Sequence, residues 1–152
     1  MDTQLIAVGK LRPYFREACD DYLRRIARYS PVSEREIREA GRAATPALRV
    51  REESSRVAAA LPARGTVIIL DRSGVAWPSD LLARNLEQWR LDAVPVVLVI
   101  GGAFGLEPEL LRRAAGRWSL GPLTLPHELA RVIVLEQWYR AWTILRGEPY
   151  HK

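Results

Sequence analysis

Val94–Lys152 reads VPVVLVIGGAFGLEPELLRRAAGRWSLGPLTLPHELARVIVLEQWYRAWTILRGEPYHK. Val96 to Ile100 is an apolar, β-branched run of strand length. It ends in a glycine-rich loop, Gly101-Gly102-Ala103-Phe104-Gly105. A second loop, Leu120-Gly121-Pro122-Leu123-Thr124-Leu125, follows a final short strand near Trp118. It leads into a long aromatic helix opened by Pro126 and running to about Arg146. Glycine-bearing loops at the C-terminal ends of successive strands mark a ligand crevice in an α/β sheet. The chain closes on a polar and aromatic tail, Pro149-Tyr150-His151-Lys152.

The residues upstream repeat the alternation. Leu5-Ile6-Ala7-Val8 is a first strand ended by Gly9. Pro13 starts a helix to about Arg28, with Phe15, Cys19, Tyr22, Leu23 and Ile26 at helical spacing. Val32 to Ala40 alternates weakly and reads as a polar edge strand. Ala47 to Leu61 is a polar helix stopped by Pro62. Thr66 to Leu70 is a buried strand ending at Asp71, with Arg72-Ser73-Gly74 as a turn. Ser79 or Asp80 suits the cap of a helix carrying Leu82, Leu86 and Trp89. Leu106 to Ala115 is a short helix. Short β-branched strands alternating with helices predict an α/β fold, a mostly parallel sheet covered by helices on both faces. With no repeat, low-complexity tract or linker, residues 1–152 are expected to form one domain.

Composition narrows the class. A hydrophobic fraction of 48% and a charged fraction of 27% are ordinary for a soluble globular chain. Lys+Arg 23 against Asp+Glu 18 gives a net charge of +5, and Lys10 and Lys152 are the only lysines. Arginine is the better fork for phosphate and stacks on bases, so RNA is a plausible partner; genomic GC bias is the plainer source of the same excess. The lone Cys19 suits packing in a reducing cytosol. No apolar run approaches a membrane span, and no signal peptide precedes the first strand, so a cytoplasmic protein is expected. His127 and His151 are the only histidines, with no Cys/His cluster, so no metal is expected.

The last helix is apolar around most of its circumference, from Leu129 and Val132 through Trp138, Trp142 and Leu145. A surface helix needs one apolar stripe, so this one must be covered on two sides. Either it is central within one subunit or its second side meets another copy; a two-fold homodimer through this helix is the expectation.

The sequence GGAFG is neither the dinucleotide fingerprint nor the P-loop, which disfavours dehydrogenase and NTPase readings. Glycine permits close backbone approach to a ligand, or simply a tight strand-to-helix turn. Leu70, Gly101 and Leu120 to Leu125 lie at three strand ends that can converge. Leu70, Leu120, Leu123 and Leu125 can sandwich a flat heteroaromatic ring such as adenine while loop backbone groups bond its edges. Each leucine taken singly also suits the core.

These residues carry a family likeness. Ile100-Gly101-Gly102 with Gly105-Leu106 comes first, then Trp118-Ser119-Leu120 with Leu123-Thr124-Leu125-Pro126-His127. Arg131-Val132 with Glu136-Gln137 and Tyr139-Arg140-Ala141 follows, and Gly147 to Lys152 ends the run. In that order they closely resemble the RlmH-type methyltransferases of the SPOUT superfamily. Ala7 to Lys10 and Tyr22 to Arg25 extend the resemblance to the N-terminus; Gly41 to Ala63 is weakly family-like. The resemblance implies methylation of N3 of a pseudouridine in 23S ribosomal RNA from S-adenosyl-L-methionine, a C-terminal trefoil knot, and a dimer. By position, the cofactor contacts would be Leu70, Gly101, Leu120, Gly121, Pro122, Leu123, Thr124 and Leu125. Ala103 and Phe104 fall where the family varies.

Methyl transfer to N3 requires loss of the imide proton, helped by positioning, anion stabilisation or a base. Tyr150, His151, Arg131 and Arg140 are the candidates. Tyr150 can stack on the target base. A histidine at position 151 can act as base or anion stabiliser. Lys152 and nearby arginines can hold phosphates; the plainer reading of any tail is disorder. His127 is expected to be structural, and Glu136 to pair with Arg140 four residues on. A chain this small is expected to act on the assembled ribosome or large subunit rather than free RNA. The competing readings are a SPOUT methyltransferase acting on tRNA or another rRNA site, and a non-enzymatic ribosome-binding factor.

Overall fold

The computed structural model describes residues 1–151. Its elements follow in chain order: β1 (Thr3–Val8), α1 (Pro13–Ile26), β2 (Val32–Ile37), α2 (Pro46–Ala60), β3 (Thr66–Val75) and α3 (Ser79–Leu91). Then come β4 (Val96–Ile100), α4 (Pro108–Arg113), β5 (Gly116–Trp118), α5 (His127–Leu145) and a 3-10 turn, Pro149–His151. The five strands form one sheet of order β2-β1-β4-β3-β5, and every pairing is parallel. The expected mostly parallel sheet is therefore wholly parallel.

Period-two alternation sends successive strand residues to opposite faces. Leu5, Ala7, Ile68, Leu98 and Ile100 pack on one face with side chains of α1, α3 and α5. Ile6, Val8, Ile69, Val97 and Val99 pack on the other against Val57 and Ala60 of α2 and Leu110 of α4. Burial on both faces explains why β4 is apolar at all five positions. The polar β2 lies at the sheet edge, paired only with β1.

Two local expectations are corrected. Arg72-Ser73-Gly74 is not a turn: β3 continues through it, with a register irregularity between Leu70 and Val75 as both pair with Trp118 of β5. Turn-forming residues serve a bulge here. Gly74 fits because a Cβ there would lie 2.5 Å from the Arg117 carbonyl oxygen, a backbone atom that cannot retreat. Nor does Ser79 or Asp80 cap α3. Pro78 occupies the N-cap without a side-chain bond, and Ser79 Oγ instead donates to Gln137 Oε1 on α5 at 2.6 Å. Asp80 still sits favourably in the first turn beside the positive end of the helix dipole.

The aromatic α5 lies between α1 and α3 and is covered on both sides by its own chain. Tyr29 stacks on Trp142 at 5.8 Å, Trp89 stacks on Trp138 at 6.0 Å, and Trp138 Nε1 donates to Thr3 Oγ1 at 3.3 Å. Its own chain thus covers α5 on two sides, while Leu129, Val132, Ile133, Ile144 and Leu145 stay partly exposed. Arg12, at the start of α1, fixes the first turn of α5: its backbone N–H donates to Glu128 Oε2 at 2.7 Å and its Nε to Oε1 at 3.0 Å. The backbone bond holds the Glu128 carboxyl below the usual carboxylate range.

Candidate active site

The C-terminal ends of the three adjacent strands β4, β3 and β5 enclose a cavity of about 460 Å³, a size suited to a small ligand. Leu70, Asp71 and Arg72 line it from β3, the whole Gly101–Gly105 loop from the end of β4, and Trp118 to Gly121 with Leu123 to Leu125 from the end of β5 and the loop beyond it. His127 and Ala130 close it from the first turn of α5. Of the expected cofactor residues, Leu70, Gly101, Leu120, Gly121, Leu123, Thr124 and Leu125 thus share one cavity; Pro122 is not among its walls. Ala103 and Phe104, for which the resemblance gave no contact, do line it.

The glycines have steric reasons. At Gly101 a Cβ would fall 2.9 Å from Leu106 Cγ, and at Gly102 it would fall 2.6 Å from Glu53 Oε1. Gly105 and Gly121 hold φ values of +78° and +108°, the left-handed region open to glycine. Gly105 N–H donates to Gly102 O at 3.1 Å, closing the first loop. Ser119 Oγ accepts the Gly121 N–H at 3.1 Å and shapes the second.

Helix α2 holds the glycine loop from behind. Ser54 Oγ accepts the Glu107 N–H at 2.8 Å, and the Arg49 guanidinium lies 5.5 Å from the Phe104 ring centroid. Glu53, fully buried, accepts from Ala40 N–H at 2.9 Å and Arg49 Nε at 3.2 Å through Oε2. Its Oε1 faces Gly102 without a hydrogen-bond partner among the described residues. Sequence reasoning missed this contact, because a glutamate in a polar helix gives no sign of burial. Phe104 and Leu123 leave 54% and 73% of their surface exposed at the cavity mouth, apolar surface available to a flat ring.

The expected catalytic residues are placed elsewhere. Arg131 is fully buried: Nη1 donates to Glu36 Oε2 at 2.9 Å and Glu34 Oε2 at 3.3 Å, and Nη2 to Gly9 O at 2.8 Å. Arg140 donates twice to Glu136 Oε1, at 2.8 and 3.0 Å, the expected pair. Tyr150 O–H donates to the same Oε1 at 3.1 Å. Its ring meets Tyr139 edge-on at 4.7 Å and lies 5.0 Å from the Arg140 guanidinium. Burial, then bonding with Tyr22 and the charge of Glu136, pushes the Tyr150 phenol well above its ordinary value, so it is neutral near pH 7. His151 is exposed at the end of the tail; Lys152 lies outside the described residues. His127 Nε2 lies 3.7 Å from Glu39 Oε1 and beside Gly9. The cavity thus lies at the first turn of α5, while Tyr150 of the tail packs on Glu136, Tyr139 and Arg140 in the middle of the helix. Ten residues separate Ala130 from Arg140, about 15 Å of helix.

Among the described residues no group of three or more His, Cys, Asp or Glu side chains could hold a metal ion. No helix among them is long and apolar enough to cross a membrane.

The family model described as "Predicted SPOUT methyltransferase" matches residues 1–151. A Rubrobacter xylanophilus protein named "Ribosomal RNA large subunit methyltransferase H" is 48% identical, covering 97% of this chain and 96% of that relative. Proteins of the same name from Solidesulfovibrio magneticus and Pseudomonas aeruginosa are 49% and 43% identical, covering 97% and 100% of both chains respectively. A solved structure titled "a probable methylase family protein" from Haemophilus influenzae shares the fold with a TM-score of 0.56 at 10% identity, over 99% of this chain and 70% of that one. With sequence likeness along its whole length and a cavity at the ends of three parallel strands, the chain belongs to the SPOUT methyltransferase family.

Proposed function

We propose that this chain methylates N3 of a pseudouridine in 23S ribosomal RNA, with S-adenosyl-L-methionine as donor and the large subunit or assembled ribosome as substrate. The carrying observation is the cavity after β4, β3 and β5, walled by leucines and by two loops whose glycines leave room for backbone contact. The names of the full-length relatives supply the ribosomal target. The residues present suit the donor. Leu70, Leu120 and Leu123 offer apolar faces to an adenine, and Thr124, Asp71 and loop backbone offer polar edges. The trefoil knot expected from the resemblance belongs to this reading, as does a cytoplasmic location.

When bound, S-adenosyl-L-methionine would supply an electrophilic sulfonium methyl for N3 of the base. The chain's own residues position the reactants and manage the N3 proton. Tyr150, neutral and bonded to Glu136, offers a ring for the target base to stack on. The His151 imidazole takes the proton or offsets the developing N3 charge. Arg140 orients the tail through Glu136 and the Tyr150 ring. Arg131 acts at a distance, holding Gly9 and β2 in place below the first turn of α5.

Because Tyr150 of the tail packs on the middle of α5, away from the cavity at its first turn, a two-fold homodimer through α5 is part of the proposal. It brings one protomer's tail to its partner's cavity. Mixing chains substituted at His151 with chains substituted at Gly102 would restore part of the activity if sites are shared; no restoration would refute sharing.

The deciding experiment is transfer from labelled donor to ribosomes lacking the modification, followed by mass mapping. Label at N3 of one large-subunit pseudouridine is expected. Donor binding without label would point to tRNA or another rRNA site. Absence of donor binding would leave a ribosome-binding factor.

A further inference from the structure

A second concavity, about 990 Å³, lies at the C-terminal ends of β1 and β2 on the same edge of the sheet as the donor cavity. Gly9, Lys10, the 36–43 segment and two side chains of α2 line it. It adjoins the donor cavity at Gly9, beside which sit Glu39 of the groove and His127 of the cavity.

The charge pairing in this groove is one-sided. Each of its carboxylates has a cation: Glu36 takes Arg131 at 2.9 Å, Glu39 takes Arg49 at 3.3 Å, and Glu52 takes Arg56 at 3.7 Å. Arg131 and Arg49 come from outside the groove walls. Lys10, Arg38 and Arg42 are exposed there, and none forms an ion pair among the described residues. The groove therefore presents three uncompensated cations, two of them guanidinium forks suited to phosphate oxygens. Every acid in the groove thus lies against an arginine, Arg49 being shared with the buried Glu53, while three of its four bases stay free among the described residues, which makes an anion track.

We infer that this groove receives the RNA phosphate backbone flanking the target nucleotide, with Lys10, Arg38 and Arg42 as its phosphate contacts. The inference rests on the proposed RNA methylation and adds the surface that seats the substrate. Its position beside the donor cavity lets one strand run along the groove while a single base enters at the cavity mouth. The contacts are to phosphate, so they hold and orient RNA without reading sequence.

The test compares the unsubstituted chain with the triple variant Lys10→Gln/Arg38→Gln/Arg42→Gln, using labelled donor and large subunits lacking the modification. KM for subunits is measured over a salt series and donor affinity by calorimetry. Loss of three phosphate contacts is expected to raise KM about tenfold or more and to flatten the slope of log affinity against log salt by about 2. Donor affinity and kcat at saturation are expected to stay unchanged. Lys10→Arg/Arg38→Lys/Arg42→Lys, which keeps the charge, is expected to keep the slope. Arg28→Gln/Arg64→Gln removes exposed charge at the opposite ends of the strands and controls for net charge alone. An unchanged KM and slope in the triple glutamine variant, or an equal loss per charge in the control, overturns the groove while leaving the methyltransferase reading intact. Absence of any label from the unsubstituted chain overturns that reading, and the groove with it.

Discussion

Arg131→Ala separates a residue that builds the fold from one that touches RNA. The Arg131 side chain is 1% exposed, against 10% for Glu34 and 35% for Glu36. Removing it strands two carboxylates and the Gly9 carbonyl. Breaking a buried ion pair from one side costs about 3–5 kcal/mol. Two features place this case at the low end. Arg16 Nη2 remains 2.6 Å from Glu34 Oε1, and Glu36 is open enough for water to reach. The expected loss is thus about 3 kcal/mol, a large share of the ~5–15 kcal/mol that holds a typical domain folded. With a urea slope of ~2 kcal/mol/M, the unfolding midpoint falls by ~1.5 M. Tryptophan fluorescence reads the transition, at fixed protein concentration because self-association shifts apparent stability. Arg131→Lys keeps the charge but not the fork and is expected to lose less. A midpoint within ~0.3 M of the unsubstituted chain, a shift of ~0.6 kcal/mol on that slope, together with abolished methyl transfer, would refute this reasoning and return Arg131 to the substrate.

Gly102→Ala drives a Cβ to within 2.6 Å of Glu53 Oε1 and 3.2 Å of Val8 Cγ1, and Glu53 cannot retreat while its other oxygen is bonded. Donor affinity measured by calorimetry is expected to fall at least about tenfold, ~1.4 kcal/mol, with the fold retained; undiminished affinity would show that this loop does not cradle the donor. Cys19 is fully buried, and desolvation, followed by the Glu34 charge, pushes its thiol up to about 11. Alkylation of the native chain near neutral pH is expected to be slow, quickening as pH rises and on unfolding; a native rate equal to the unfolded rate would contradict this. Tyr29 and Tyr150 both hold their phenols well above the ordinary value, mainly by burial. Their folded values exceed the unfolded value near 10, so the stability they lend is whole below about pH 10 and is lost as pH rises further. Absorbance titration at about pH 11 should show fewer ionised tyrosines in the folded chain than in urea; equal numbers would sink the prediction.

How far the fold and site were legible follows from which signals are local. The strands β1, β3 and β4 announced themselves because a sheet buried on both faces demands unbroken apolar runs. The two glycine-bearing loops that wall the cavity were legible because glycine marks close backbone approach or a tight turn wherever it falls. Arg72-Ser73-Gly74 was misread because a bulge and a turn use the same residues, and only pairing with Trp118 tells them apart. That α5 lies between α1 and α3 of its own chain was not legible, because an aromatic girth shows the need for cover and not its source. Glu53 and the Lys10–Arg42 groove depend on which charges find partners across distant segments, which no window of sequence contains.

Arg131 differs, because its signal was present in the sequence. In Val32–Ile37 the spacing of two puts Glu34 and Glu36 on one face of β2, opposite Ser33 and Arg35. Register pairs them with Leu5 and Ala7, which face α1 and α5. A strand that carries two acids on its inward face is not a merely solvated edge: Glu34, 10% exposed, requires a cation, and the more open Glu36 shares it. The arginine that answers them must come from the helix layer above, and Arg131, followed on α5 by the apolar run Val132 to Leu135, and Arg16 on α1 are the ones that do. An arginine set among leucines and valines looks like a tool for substrate, yet an inward-facing pair of acids elsewhere in the chain assigns it to the fold.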